Sequence, residues 1–364
     1  MNRCVRVMAV AALLATACGS SQPNHTGRAT ASAARTSEPQ ASPTPTPASD
    51  RALALVWLSG STALVVRDIT DILHPKTIST FQVQSYGPAQ FIGGTDLALV
   101  QPDGLVRMQL DGASRTVLAP NASAIVSTRD GATVAYVGVN NPSDRIEQLH
   151  VLAGGLDRVA GTAPAQYFAT GCESQSCADT WDVRLLYSPN GAYISFVQML
   201  PVAAFRIWTS AGKVLKSVDG GSATMSVWSG DTLYWRDSKG VETWRDGNEH
   251  LLLPGVSWIG PHASPAGGQI VYQTRDAGSG TAHIYLLDTA SGKVRELAKS
   301  RSYPAFLNSH LIWYEGERPC PVSDPHCAVG PTTATGITYI YDLLDGTETA
   351  SRITTVFDVW PHPA

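Results

Sequence analysis

Amphipathic helical periodicity is missing from this sequence after residue 50. No long window there repeats apolar residues at positions i, i+3, i+4 and i+7, the spacing that lets a helix bury one face. Short runs rich in Val, Ile, Tyr and Trp are present instead, and 32 glycines and 23 prolines punctuate the chain. Because 43% of the 364 residues are hydrophobic, the chain can bury a large core. We therefore expect an all-β fold.

Positive charge is also scarce, and familiar catalytic motifs are absent. The formal net charge is −4 at pH 7, which argues against a nucleic-acid partner because such proteins present a basic surface. The sequence has neither a Gly-x-Ser-x-Gly turn nor a glycine-rich phosphate-binding loop. Ser210 and Lys213 have Ser-x-x-Lys spacing, but they lie in a predicted hairpin turn that recurs elsewhere. We expect no cofactor and identify no catalytic residue.

The first eighteen residues have the pattern of an export signal. Arg3 and Arg6 precede an apolar stretch, residues 7–17, that is too short to span a bilayer. Its end, LLATAC, resembles the bacterial lipoprotein signal, with Ala15 where that family more often has Leu. The resemblance implies that Cys18 is acylated and anchors the chain to the cell membrane on the extracytoplasmic side. An ordinary cleaved secretory signal is the alternative.

Residues 19–50 are predicted to form a disordered linker. They are mostly Ser, Thr, Ala and Pro, and such a composition buries too little apolar surface to order the chain. A flexible chain of this length spans roughly 30 Å. The globular part is therefore expected in residues 51–364.

A turn and strand recur along these residues. SPNGAYISFVQ (residues 188–198) is followed by SPAGGQIVYQT (residues 264–274), and weaker copies of the strand occur about every 40 residues, the period of a four-stranded propeller blade. The repeated apolar triplets are Leu53–Leu55, Leu97–Leu99, Val134–Tyr136, Ile194–Phe196, Leu233–Trp235, Ile270–Tyr272 and Leu311–Trp313. Seven triplets predict a β-propeller with seven four-stranded blades.

The two chain ends of the propeller predict how its ring closes. The first triplet follows the linker with no innermost strand before it, while the chain ends in an extra strand, TTVFDVWPHPA. This tail is similar to GVSWIGPHASPAG, which precedes the triplet at Ile270. The C-terminal strand is therefore expected to join the first blade and protect its open edge.

The turn and triplet resemble the Pd repeat of TolB-like β-propellers, in which Ser-Pro-Asp-Gly precedes an aliphatic-small-aromatic triplet. The matching positions are Ser188, Pro189, Gly191, Ile194, Ser195 and Phe196, then Ser264, Pro265, Gly267, Ile270 and Tyr272, and in part Asp130, Gly131, Val134, Ala135 and Tyr136. Asn190 and Ala266 replace the Asp, and four repeats lack the full turn. The resemblance covers nearly all of residues 51–364 and implies the fold but little about function.

Four cysteines lie in two predicted loops. Cys172 and Cys177 form one close pair, and Cys320 and Cys327 form another. Since an exported chain meets an oxidising compartment, we expect disulfides 172–177 and 320–327 among the three possible pairings. A metal site is the alternative for the second loop, because Asp324 and His326 lie between its cysteines, but the spacing matches no zinc pattern. We expect no metal.

One side of the propeller is predicted to carry the long loops. Connections between the second and third strands of a blade, and crossings to the next blade, share this side, which we call the loop-rich face; the opposite side, with the first turn of each blade, is the turn face. Function collects on elaborated loops. The candidate binding residues there are Tyr167, Phe168, Trp181, Met199, Arg275, Asp324 and His326.

Three functional hypotheses follow. The first is a non-enzymatic module that binds a protein, peptide or envelope glycan through the loop-rich face. The second is an envelope lyase or hydrolase with its site at the channel mouth, which a cluster of histidines or carboxylates there would favour over an apolar, aromatic lining. The third is a structural or sensory subunit of a membrane complex. His262 and His362 are interpreted as repeat positions, and Trp208, Trp235, Trp244 and Trp313 as core residues.

Overall fold

The computed structural model describes residues 52–57, 63–83, 89–120, 122–139, 147–163, 183–198, 204–219, 223–320, 332–354 and 356–362. Within these ranges the chain forms 28 strands and no helix. None of the described residues belongs to a helix that is long and apolar enough to cross a membrane. The predicted signal, the lipidated Cys18 and the linker lie outside the described residues.

The strands follow one another along the chain as a regular series. The first fourteen are β1 (Leu53–Trp57), β2 (Ala63–Asp68), β3 (Lys76–Gln82), β4 (Ala89–Ile92), β5 (Asp96–Gln101), β6 (Gly104–Gln109), β7 (Arg115–Ala119), β8 (Ala122–Ser127), β9 (Thr133–Val139), β10 (Glu147–Ala153), β11 (Leu156–Ala163), β12 (Val183–Tyr187), β13 (Tyr193–Gln198) and β14 (Ala204–Thr209). The others are β15 (Val214–Asp219), β16 (Thr224–Ser229), β17 (Thr232–Arg236), β18 (Gly240–Arg245), β19 (Asn248–Pro254), β20 (Ile259–Ala263), β21 (Gln269–Arg275), β22 (Ala282–Asp288), β23 (Val294–Lys299), β24 (Arg301–Phe306), β25 (Leu311–Pro319), β26 (Thr332–Asp342), β27 (Glu348–Ser351) and β28 (Val356–Trp360).

These strands form seven antiparallel sheets of four, which are the blades of a β-propeller. Blade 1 has the order β28-β1-β2-β3, and the other six each take four consecutive strands, from β4–β7 in blade 2 to β24–β27 in blade 7. The predicted fold class is thus confirmed. Every predicted triplet lies on the second strand of its blade, counted outward from the channel.

The buried apolar side chains of the described ranges form seven clusters, each packed between two neighbouring blades. Phe196 and Trp208 of blade 4, for example, pack with Val137 and Leu149 of blade 3. The last cluster joins blade 7 to blade 1 and contains Trp313. A blade alone would expose both of its apolar faces, so the ring is what buries them. The four tryptophans assigned to the core from the sequence are buried.

The C-terminal strand closes the ring as predicted. β28 pairs antiparallel with β1, with Leu53 opposite Trp360 and Ala54 opposite Val359. The innermost strand of blade 1 therefore comes from the end of the chain, and its three outer strands come from the start. Trp360 lies in the cluster between blades 1 and 2, so closure also buries a large side chain.

Candidate ligand-binding site

A cavity of about 190 Å³ lies in the central channel. Six of the seven innermost strands contribute to its wall, all except β24. The lining residues are Gln90, Val126, Ser127, Arg129, Leu186, Tyr187, Ser188, Pro189, Ser226, Val227, Trp228, Pro261, His262, Ala263, Asp358 and His362.

The cavity lies at the turn face. Val126 and Ser127 end β8, Leu186 and Tyr187 end β12, and Ala263 ends β20, just before the first turn of each blade. The repeated turn itself contributes Ser188 and Pro189, whose sequence motif was interpreted only as architecture. This side is opposite to the loop-rich face that the sequence suggested as the binding surface.

An acid from the C-terminal strand and an imidazole two residues after that strand meet in this cavity. Asp358 Oδ2 accepts a hydrogen bond from the backbone N–H of Phe91 at 2.7 Å and lies 3.1 Å from His362 Nε2. The His362 ring also packs edge-on against Trp360, with 5.1 Å between ring centroids. The strand that closes the ring therefore also positions an Asp–His pair at the channel, held to blade 2 by one backbone hydrogen bond.

His262, in β20 of blade 6, lines the same cavity. Its Nδ1 lies 3.2 Å from the backbone N–H of Phe306 in β24 and 3.1 Å from the carbonyl oxygen of Ala263. Pro261 and Pro361 precede the two histidines in their similar sequence stretches. Their interpretation as repeat positions is consistent with this placement, which brings both imidazoles to one cavity.

The rest of the wall is largely apolar, with polar groups used for packing. Ser127 Oγ donates to the carbonyl oxygen of Phe91 at 3.1 Å, and Trp228 Nε1 donates to Ser195 Oγ at 2.9 Å. Burial raises the pKa of Tyr187 to about 12, so its hydroxyl is neutral at physiological pH. Arg129 is exposed in the first turn of blade 3 and brings a cation to the rim. Such a mixture of apolar wall and few polar groups is typical of a ligand site.

The described ranges hold no group of three or more His, Cys, Asp or Glu side chains placed to bind one metal ion. Cys172, Cys177 and Cys327 lie outside the described residues, so the two disulfides and the alternative metal site in the second loop stay predictions.

The predicted binding residues are mostly beyond what the structure describes. Tyr167, Phe168, Trp181, Met199, Asp324 and His326 all lie outside the described residues. Arg275 ends β21, and its Nη2 forms an ion pair of 2.5 Å with Glu317 Oε1 of blade 7. Its Nη1 also donates to Thr332 Oγ1 at 2.9 Å. Arg275 therefore links two neighbouring blades; a role in binding stays a prediction.

Sequence reasoning missed Asp358 as a site residue. It lies in the tail whose similarity to the stretch before Ile270 predicted ring closure, and the same alignment placed His362 beside His262. That similarity indicated two histidines at equivalent channel positions. The carboxylate partner was not predictable from it, because the equivalent residue in the earlier stretch, Trp258, is apolar and buried.

Comparison with known proteins adds support for the fold. No protein-family model and no curated protein sequence matches the chain. An oligogalacturonate lyase from Vibrio parahaemolyticus is 11% identical and superimposes with a TM-score of 0.52, covering 82% of this chain and 84% of the lyase. A candidate 6-phosphogluconolactonase from Bacteroides fragilis is 12% identical, with a TM-score of 0.52 and coverage of 87% of this chain and 99% of that protein.

TolB from Acinetobacter baumannii is also similar in structure. It is 12% identical, with a TM-score of 0.42 and coverage of 84% of this chain and 81% of TolB. Identities this low show the fold alone, and a TM-score below 0.5 carries no argument. The neighbours include a lyase and a candidate lactonase, so the fold does not decide between binding and catalysis. Membership of the TolB-like family stays a prediction.

Proposed function

We propose that the chain is a binding module, held on the extracytoplasmic side of the cell membrane by a lipid on Cys18, whose ligand is a protein, peptide or envelope glycan. The channel cavity is the observation that supports this function most directly. A cavity of about 190 Å³ is smaller than the roughly 300–1,000 Å³ of drug-sized ligand sites. It suits one side chain or one sugar ring of a larger partner that lies across the turn face.

The hydrogen bonds that Asp358 and His262 make to the backbone favour a binding role over a catalytic one. Asp358 accepts from the backbone of blade 2, and His262 contacts the backbone of blade 7, so both side chains help to hold the ring together. These contacts occupy Asp358 Oδ2 and His262 Nδ1, two of the atoms that a general base would need to accept a substrate proton. Trp228 and Leu186 supply apolar surface next to these groups, which suits recognition of a side chain or sugar face.

Catalysis by an envelope lyase or hydrolase is the second candidate. The Asp358–His362 contact favours it, because a carboxylate beside an imidazole can orient the ring and stabilise its protonated form. A pair of one carboxylate and one histidine at the channel is the kind of cluster expected of an enzyme. The apolar and aromatic side chains in the rest of the wall are the lining expected of a binding module.

Site-specific photocrosslinking tests the binding proposal. A benzoylphenylalanine at Arg129, on the cavity rim, is compared in the membrane-bound full-length protein with the same probe at exposed Arg352 after β27. We expect an adduct with a peptide or glycan at position 129 that is absent at position 352. Equal labelling at both positions would contradict the proposal.

Hydrolysis or lyase assays on purified envelope polysaccharide separate the two candidates. Release of new chain ends by the wild type, lost in His362→Gln and retained in Arg352→Gln, would establish the enzyme and overturn the binding module. We expect no release from the wild type. Because His362 lies outside the strands and its side chain is 15% exposed, His362→Gln should fold normally.

A further inference from the structure

A second cavity, of about 320 Å³, lies on the loop-rich face between blades 5 and 6. Its wall comes from the end of β17, the connection to β18, and the crossing from β19 to β20. The lining residues are Arg236, Asp237, Ser238, Gly240, Gly255, Val256 and Ser257. It is separate from the channel cavity and shares no lining residue with it.

The Arg236 guanidinium is held in a fixed orientation at this cavity. Its Nε donates to Thr224 Oγ1 at 3.0 Å, and its Nη1 donates to Ser257 Oγ at 3.2 Å and to the carbonyl oxygen of Trp258 at 3.0 Å. All three acceptors are neutral. Within the described residues Nη2 has no hydrogen-bond acceptor, so two N–H groups of a positioned cation remain for a ligand.

The charge of Arg236 is not neutralised by a partner. Among the residues that the structure describes, no carboxylate forms an ion pair with it, and burial alone lowers the pKa of its guanidinium. The group stays protonated because an arginine guanidinium loses its proton only far above physiological pH. A partly desolvated cation without a counter-ion is unfavourable, and a bound anion would relieve that cost.

The acidic residue on the cavity wall, Asp237, hydrogen-bonds within its own turn and not to Arg236. Asp237 Oδ1 accepts from the backbone N–H groups of Lys239 at 2.7 Å and Gly240 at 3.2 Å, within its own turn. Glu242 contacts Lys239 Nζ at 3.5 Å, and burial, followed by the charge of Asp237, raises the pKa of its carboxyl. The contacts of both acids are thus to Lys239 and Gly240 in the turn between β17 and β18, and neither acid neutralises the charge of Arg236.

We propose that this cavity binds the anionic group of a ligand, a carboxylate or a phosphate, on Arg236. The Nη2 group would donate to one oxygen of the anion. Ser257 accepts from Arg236 through its oxygen, so its hydroxyl hydrogen can donate to the same anion. This second site is independent of the channel cavity and of the function proposed for it.

Calorimetric titration of the full-length protein with inorganic phosphate, and separately with acetate, tests the site. We expect one saturable site, with Arg236→Gln binding at least tenfold more weakly, because it loses a charge-assisted donor. Arg236→Lys should recover only part of the affinity, since an ammonium group lacks the fixed planar fork. Tighter binding of phosphate or of acetate identifies the phosphate-bearing or carboxylate-bearing ligand class.

Two variants of one glycine, Gly255, test the proposal even if Arg236→Gln fails to fold. Gly255 has a φ of +71°, and a Cβ built there meets no atom within 4 Å. Asn and Asp tolerate this backbone conformation better than other side chains. Because both variants add a side chain of similar size to the cavity wall, the comparison isolates charge: Gly255→Asp should bind the anion at least threefold more weakly than its neutral match, Gly255→Asn. No saturable binding to the wild type, or equal binding by both glycine variants, overturns the proposal.

Discussion

At the scale of single residues, the repeated turn is built by a hydroxyl, an acceptor and a glycine. Ser188 Oγ bonds to Asn190 Oδ1 at 2.7 Å, and Thr128 Oγ1 bonds to Asp130 Oδ1 at the same distance in the preceding blade. Thr128 thus takes the place of the motif serine. The glycine of each turn adopts a positive φ, as predicted, because a Cβ disfavours that conformation.

Two of these glycines differ only in the space around them. Gly131 and Gly191 both have a φ of +70°, but a Cβ at Gly131 would lie 2.5 Å from the backbone nitrogen of Gly93, whereas at Gly191 the nearest atom is 3.5 Å away. We expect Gly191→Ala to lower the free energy of unfolding by about 1 kcal/mol from backbone strain. Gly131→Ala should lower the free energy of unfolding by roughly a further 1–3 kcal/mol, because its Cβ would also clash with the backbone of Gly93. Urea unfolding of both variants checks this, and equal losses would contradict it.

His283 on β22 gives the domain a pH-dependent contact. Its Nδ1 lies 2.8 Å from Glu296 Oε1 and its Nε2 lies 3.2 Å from Asp276 Oδ1, and these two carboxylates raise the pKa of the imidazole above 6.5 despite partial burial. The bond to His283 lowers the pKa of Asp276. Lys299 and Tyr285 also face this group, the former through its charge on Asp276 and the latter by ring stacking.

We expect the wild type to exceed His283→Gln in stability between about pH 5 and 6.5, where the imidazole is charged. The folded-state pKa of His283 is raised, so the advantage is fully present below the unfolded value of 6.5 and is lost as pH rises through the folded value. Urea unfolding across pH measures the difference. A difference that does not change between pH 5 and 9 would refute the assignment.

At the scale of elements, ring closure depends on one short strand. β28 has five residues and pairs with β1, the first strand of the described chain. Its side chains reach in different directions: Val359 packs toward blade 7, Trp360 toward blade 2, and Asp358 toward the channel. One strand therefore joins two interblade clusters and carries a site residue.

Trp360→Ala should lower the free energy of unfolding by about 3–5 kcal/mol, the usual cost of removing a buried tryptophan. Trp360 is 8% exposed and is closely packed on Gly94, where an added Cβ would lie only 2.5 Å from Trp360 Nε1. Leu344→Ala is the control, because Leu344 is 78% exposed. Hydrogen exchange at the β1 amides should quicken in Trp360→Ala alone. Unchanged exchange would mean that the strand stays closed without this side chain.

At the scale of the whole molecule, seven blades share seven interblade clusters among the residues that the structure describes, and none of these clusters lies within a single blade. We expect the propeller to unfold as one cooperative unit. The same closure keeps the turn face and the loop-rich face fixed on opposite sides of one ring. The described propeller therefore presents one cavity on each side of the ring.

Membrane attachment is predicted to depend on Cys18. Fractionation of cells that express the wild type should place the protein with membranes, and Cys18→Ala should be released or left unprocessed, because two or more acyl chains give firm anchoring. Cys4→Ala is the matched control and should behave as the wild type, since Cys4 lies within the predicted signal. Free solubility of the wild type after cleavage would rule out the lipid anchor.

Much of the fold was predictable because its information is local and repeated. The turn at Ser188 and the triplet at Ile194 recur with a fixed period, and each copy specifies a turn and a second strand independently of the rest of the chain. The tail around Trp360 could be assigned to blade 1 by similarity to another innermost strand. The candidate site was not predictable in this way, since Arg129, Trp228 and Asp358 come from sequence positions far apart.

The sequence by itself determined the all-β class, the seven blades and the C-terminal closure, because these follow from hydrophobic periodicity and turn chemistry within short segments. Only the tertiary structure decided that the channel cavity lies at the turn face and that Arg236 lacks a charged partner among the described residues. Both depend on which side chains from different blades meet. That is set by the packing of the ring, in which each innermost strand supplies one or a few residues to a shared space.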